Sequence, residues 1–200
     1  MVKVYVEGGT QDSALDRSLC RQAFKFFTAA GLAGKLPRTV PCGGRKAAYD
    51  AFVTAVNNPK PGEFPLLLVD SETAVAKGNT VWEHLKSRPG DHWIRPQGAE
   101  DDQAFLMVQV MESWFIADRD TLRSFFGVNF REQAIPAWTE LEEVPKLNVY
   151  EALDRATSDC GKKRYTKGKL SFELLARISP SKAEAASPHA KRLFQRLRTL

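Results

Sequence analysis

The chain has 200 residues, 43% of them hydrophobic and 26% charged, and carries a formal net charge of +5. That length can bury a core without disulfides or a structural metal, and the composition excludes general disorder. Residues 161–200 hold eleven Lys and Arg against two acids, a net of about +9, while the first 160 hold 18 against 22, a net of about −4. An anionic partner is therefore sought at the basic end.

Val2, Val4 and Val6 alternate with Lys3 and Tyr5 before Glu7-Gly8-Gly9 breaks the pattern, so a first strand is expected at about 2–7. A helix follows from Asp12 or Ser13, with Leu15, Leu19, Ala23, Phe26 and Phe27 at helical spacing, and ends near Gly31. "PRTVPCGG" gives a short strand and a glycine turn, "RKAAYDAFVTAVNN" a second helix, and "FPLLLVDSE" a strand at about 65–70. Residues 73–102 read as a short helix around Val81 to Leu85 and then a loop. A strand at about 104–110 delivers Glu112, with Trp114, Phe115 and Asp118 on a turn or short helix. Residues 130–148 read as a connecting loop, and the remainder as helix, including "LSFELLARI" and "SPHAKRLFQRLRTL" with its Ser-Pro start.

This order predicts an α/β fold, a mainly parallel sheet flanked by helices with a helical C-terminal extension. Residues 1–128 are expected to form the core, and 129–200 a loop and basic helical extension packed on it as one compact domain. Cys20, Cys42 and Cys160 have neither zinc-ligand nor disulfide-framework spacing. With no signal-peptide pattern and no run of about 18 apolar residues, the expected location is cytoplasmic.

Parallel sheets gather functional groups beyond the carboxyl ends of their strands, and Glu7, Asp70 and Glu72 all lie there. Clustered carboxylates need raised pKa values or a compensating cation, and a hard divalent metal supplies one. Residues two apart on a strand point the same way, so Asp70 and Glu72 can address one ion. Each acid also has a plainer reading. Asp70 could cap the following helix, Glu7 could be a strand-end charge, and Glu112 could pair with Arg119.

Gly8 and Gly9 could let a phosphate approach the backbone, although EGG lacks the spacing of a P-loop. Arg45, after Gly43-Gly44, could clamp a phosphate or pair with Asp50. "KKRYTKGK" surrounds Tyr165 with cations and reads as a phosphate-binding loop, with Lys167 and Lys169 as first choices, or as a solvated linker. Asp101 and Asp102 read as caps or loop charges, Trp93, Trp114 and Phe115 as packing, His84 as structural, and His189 as solvent-facing.

"VYVEGG", "LLLVDSE", "MVQVMESWFIADRD", "KGKLSFELLARI" and "ASPHAKRLF" resemble the bacterial family known as domain of unknown function 4276, which is similar to Toprim-type catalytic domains such as those of overcoming-lysogenization-defect nucleases. The resemblance implies Mg²⁺ (or Mn²⁺) as cofactor and catalytic and metal-binding roles for Glu7, Asp70 and Glu72. Glu72 stands where the Toprim motif has Asp, one methylene shorter. Glu112, in MESWF, resembles an acidic motif of related abortive-infection proteins and is implied as a further metal-site residue. An ATPase encoded nearby and a setting in phage defence are implied too; a homodimer is left open. Two functions follow as expectations: a Mg-dependent phosphodiester-cleaving nuclease working with an ATPase on nucleic acid, or a non-catalytic subunit binding nucleic acid or that ATPase. A phospho-acceptor role for Asp70 lacks the accompanying acid pair and lysine.

Overall fold

A computed structural model describes residues 1–9 and 13–200; Asp12, one expected start of the first helix, lies outside them. The strands and helices come in the expected order: β1 (Val2–Val6), α1 (Ala14–Gly31), β2 (Arg38–Pro41), α2 (Arg45–Asn57), β3 (Phe64–Asp70), α3 (Val81–Ser87) and β4 (Ala104–Met107). All strands pair in parallel, in the order β2-β1-β3-β4. Parallel neighbours cannot be joined by tight turns, and the helices between them supply the crossovers. The fold is α/β.

β3 is apolar because it is buried on both faces. Leu66 and Leu68 join Val4, Val6, Phe105 and Met107 in one core. Leu67 and Val69 join Ala104 and Leu106 in the other, packed on Phe52 of α2 and on Trp82 and Leu85 of α3. The first core is closed by α1 and by the helices after β4. These are α4 (Glu112–Ala117), α5 (Arg119–Phe126), α6 (Lys146–Ala156), α7 (Lys169–Leu175), α8 (Pro180–Ala186) and α9 (Pro188–Thr199).

Two boundaries differ from expectation. The strand through Phe105 ends at Met107 rather than near 110, and Glu112 opens a helix instead of ending a strand. The Asp70 carboxylate accepts the Met111 N–H at 2.9 Å, and Ser113 and Trp114 donate back to the Val110 and Met111 carbonyls at 3.0 Å each. The backbone is therefore already turning where the apolar pattern still reads as strand. The segment 130–148 is not plain loop either, since 3₁₀ turns occupy Glu132–Ala134 and Leu141–Glu143 and α6 begins at Lys146, directly after Pro145.

α9 begins as its Ser-Pro start implies, with the Ser187 hydroxyl accepting the Ala190 N–H at 3.0 Å and Pro188 in the first turn. Ala190, Leu193, Phe194 and Leu197 make its buried stripe. Its cations turn inward as well. Arg192 donates to the carbonyls of Ala104 and Asp101 at 3.1 and 2.9 Å, and Arg196 pairs with Glu100 and Asp102 at 3.2 and 2.9 Å. Lys182 of α8 bridges Asp118 and Asp120 at 2.7 and 2.6 Å. Part of the basic charge of the C-terminal segment thus neutralises acids of the preceding chain. Among the described residues, no helix is long and apolar enough to cross a membrane.

Candidate functional site

In the order β2-β1-β3-β4 the chain moves from β1 outward to β2, then returns to the other side of β1 as β3. The crevice above that reversal is where parallel α/β sheets bind ligands. A cleft of about 600 Å³ opens there. Glu7, Gly8, Gly9, Asp70 and Glu112 line it together with Lys167 and Phe172.

Glu7 follows the last residue of β1, and its N–H still donates to the Leu68 carbonyl at 3.1 Å. Gly8 then turns away toward β2, exchanging N–H to carbonyl bonds of 2.8 and 3.1 Å with Gly43. With β1 gone, the Asp70 N–H donates at 3.2 Å to the Glu7 carboxylate, which substitutes for a strand partner. Gly9 has φ +69°, and a Cβ there would lie 3.0 Å from Cα of Arg17 in α1. Glycine is required at Gly9 by conformation and by close packing, whether or not a ligand approaches it.

Glu72 has φ +69°, uncommon for a side-chain-bearing residue, while its N–H donates to the Gln109 carbonyl at 2.8 Å. This left-handed turn takes the chain out of the strand two residues after Asp70. One carboxylate oxygen from each of Glu7, Asp70 and Glu72 lies within 4.8 Å of the others. The expectation that these acids converge on one rim holds. Glu112 is outside that trio but on the same wall, wholly buried, with Oε1 accepting the Tyr165 hydroxyl at 2.7 Å and the Ser171 hydroxyl at 3.2 Å.

The electrostatics divide the acids. Burial, then the charges of Glu7 and Glu112, push the Asp70 carboxyl well above its ordinary range, against Lys167 and the Met111 N–H. Burial also raises Glu7, with Glu72 adding to the rise and Arg45, the Asp70 N–H and Lys167 opposing it. For Glu72 burial is outweighed by the Lys146 ammonium, helped by Arg45 and Arg88, and its carboxyl is held low. Ionisation is therefore disfavoured at Asp70 and Glu7 unless a cation compensates it. An all-oxygen donor set of this kind fits a small hard divalent cation.

The substrate-binding expectations separate. Lys167 lines the cleft, donates to the Tyr150 hydroxyl at 3.0 Å, and is held above the usual lysine range; burial opposes that rise, and Tyr150, Glu112 and Asp70 outweigh it. Lys169 lies on the exposed side of α7, 3.7 Å from Glu173, and does not line the cleft. Arg45 does not pair with Asp50, which is taken by Lys46 at 2.6 Å. Its guanidinium donates to the Asp70 carbonyl and to Asp91, stands 3.7 Å from Glu7, and lies over the Trp93 ring at 5.0 Å.

Tyr165 is a buried phenol, not an exposed stacking platform, because its hydroxyl reaches Glu112 and Ser171. Arg164 is held by Asp154 through two bonds of 2.7 Å. His189 does not face bulk solvent; its ring N–H donates to Glu142 at 2.8 Å. Trp114 and Phe115 are core residues, Trp93 is buried against Tyr49 at 4.5 Å, and His84 Nε2 lies 3.0 Å from the Ser71 carbonyl.

Sequence reasoning missed Lys146, Tyr150, Ser171 and Phe172 as neighbours of the site, and the part played by Tyr165. All come from the last third of the chain, where helical periodicity marks a buried face but not what it covers.

Fold and site together define an α/β protein with a carboxylate-lined crevice at the reversal point of a parallel sheet. The chain belongs to the family described as a domain of unknown function, DUF4276, whose model matches residues 6–198. That span takes in every cleft residue named above together with the C-terminal helices. No curated protein and no solved structure matches the chain.

Proposed function

We propose that the chain is a Toprim-like, metal-dependent phosphodiesterase that cleaves nucleic acid. The observation that carries this reading is the convergence of Glu7, Asp70 and Glu72 within 4.8 Å, the first two of them lining the cleft. Mg²⁺ or Mn²⁺ would be held by these three carboxylates. When bound, the cation supplies Lewis-acid stabilisation of charge developing on the phosphate oxygens.

The chain's own residues account for the rest. Lys167 neutralises a non-bridging phosphate oxygen, and the glycines of the wall admit the backbone of a strand. Glu7, at the rim, is the group placed to accept a proton from the attacking water. Arg45 fixes the Asp70 carbonyl, and with it the end of β3. Met107, Met111 and Phe172 supply apolar walls that limit water.

The family resemblance adds an ATPase partner and a role in phage defence. The competing reading is a binding subunit, favoured by the internal partners that Glu7 and Glu72 already have in Arg45 and Lys146. Plasmid and single-stranded DNA and RNA are incubated with the protein in Mg²⁺ or Mn²⁺, with and without the ATPase. Cleavage is expected to fall by about 10²-fold or more in Glu7→Gln and Asp70→Asn. Nucleic-acid binding without cleavage by the unaltered chain, unchanged by either substitution, would establish the binding subunit instead.

A further inference from the structure

We infer that Tyr165 and Ser171 are positioning residues for Glu112, and that they fix its second carboxylate oxygen, Oε2, as a ligand atom for a divalent cation in the cleft. This rests on the metal-dependent reading above and assigns the C-terminal segment a part in it.

The argument starts from proton counting. Glu112 Oε1 lies 2.7 Å from the Tyr165 hydroxyl and 3.2 Å from that of Ser171, and the two hydroxyls are 2.8 Å apart. Three oxygens thus share two hydroxyl protons. Either both hydroxyls donate to Glu112, or one donates to Glu112 and the other to its neighbouring hydroxyl. In both arrangements Oε1 is satisfied and Oε2 receives nothing. Oε2 is buried and has no hydrogen-bond partner.

Buried carboxylate oxygens are ordinarily satisfied, and this chain offers its own contrast. Asp118, six residues further on and also buried, takes the Thr121 N–H at 3.2 Å, the Thr121 hydroxyl at 2.7 Å, the Ser179 N–H at 2.9 Å and Lys182 at 2.7 Å. Both of its oxygens are used, as befits a structural acid. Glu112 concentrates its donors on one oxygen and leaves the other without one, in a residue that lines the cleft and whose charge acts on Asp70.

The donors are themselves held in place. The Tyr165 N–H donates to the Thr157 hydroxyl at 2.8 Å, and the Gly168 N–H to the Ser171 hydroxyl at 3.2 Å. Residues 165–171 therefore supply both hydroxyls that orient Glu112 and, through Lys167, the cation that faces it. Partners of this kind orient a ligand.

The test is calorimetric titration of the full chain with Mn²⁺, with metal-free folding checked by circular dichroism. Asp70→Asn and Glu112→Gln are expected to lose most of the affinity. Tyr165→Phe and Ser171→Ala are expected to weaken Mn²⁺ binding by roughly 10- to 100-fold while remaining folded. Wild-type affinity in both hydroxyl variants, or in Glu112→Gln, with loss in Asp70→Asn, would overturn the inference and leave the metal-dependent reading intact. No Mn²⁺ binding by the unaltered chain would sink that reading and the inference with it. Should Tyr165→Phe fail to fold, Ser171→Ala decides, because it keeps the phenol and removes the other donor.

Discussion

Asp70 and Arg45 show how single side chains set the site. Asp70 is 4% exposed, and its carboxyl sits with Glu7 and Glu112 and retains one N–H, from Met111. Asp70→Asn keeps an oxygen for that N–H and removes a crowded negative charge. The metal-free variant should therefore melt about 3 °C above the unaltered chain, read by differential scanning calorimetry, while losing activity. A lower midpoint would mean that Asp70 is structurally favourable where it stands. Arg45 acts through shape: its planar fork spans the Asp70 carbonyl and Asp91 and stacks on Trp93. Arg45→Lys keeps the charge but loses the fork and should cost about 2 kcal/mol in urea denaturation. At this scale "LLLVDSE" and "VEGG" were legible, because strand-end acids beside glycines are a local signal. Tyr165 was not, because its partner Glu112 is 53 residues away in the chain.

Elements are joined by a few close approaches. Gly31 ends α1 where a Cβ would lie 2.5 Å from the Phe194 ring of α9 and 2.9 Å from Pro180 of α8. Gly31→Ala is expected to destabilise by about 2 kcal/mol through overpacking. Gly44→Ala, where a Cβ meets nothing within 4 Å, should be nearly neutral by the same measurement. The start of α9 is pinned by Glu142, which accepts the His189 N–H at 3.0 Å and the ring N–H at 2.8 Å. Burial would raise the Glu142 carboxyl, but the bonds from His189 and Ser187 outweigh it and hold it low. A depressed folded pKa stabilises above the unfolded value of about 4.3, and that contribution disappears as the pH falls through the folded value. Glu142→Gln should therefore be less stable than the unaltered chain at pH 7, by about 1 kcal/mol, with the gap closing below about pH 4. Most of the helices could be read from periodicity and from Ser-Pro, but the one at Arg119–Phe126 was not. The end of β4 could not, since the Asp70 carboxylate that captures the Met111 N–H belongs to another strand.

Across the whole molecule, one core runs from Val4 and Phe27 of the N-terminal part to Phe172, Ala183 and Phe194 near the other end. It takes in residues on both sides of the expected boundary at 128. A chain ending at 128 would expose that core and lose the inward pairs of Arg192 and Arg196. It should bind a hydrophobic dye and show no cooperative unfolding, whereas the full chain should unfold in one transition by calorimetry and by tryptophan fluorescence. The α/β class was visible in the alternation of strands and helices. The inward use of the basic segment was not, because a charge count records sign and leaves out which acids lie within reach. β1 and β3 meet in the register Val6 with Leu68, and Glu7 and Asp70 emerge from that pair of strands. A slip of one residue would send every β3 side chain to the opposite face. Whatever recognises those two acids together also inspects the alignment of the strands beneath them, so ligand capture doubles as a check that the chain has folded in register.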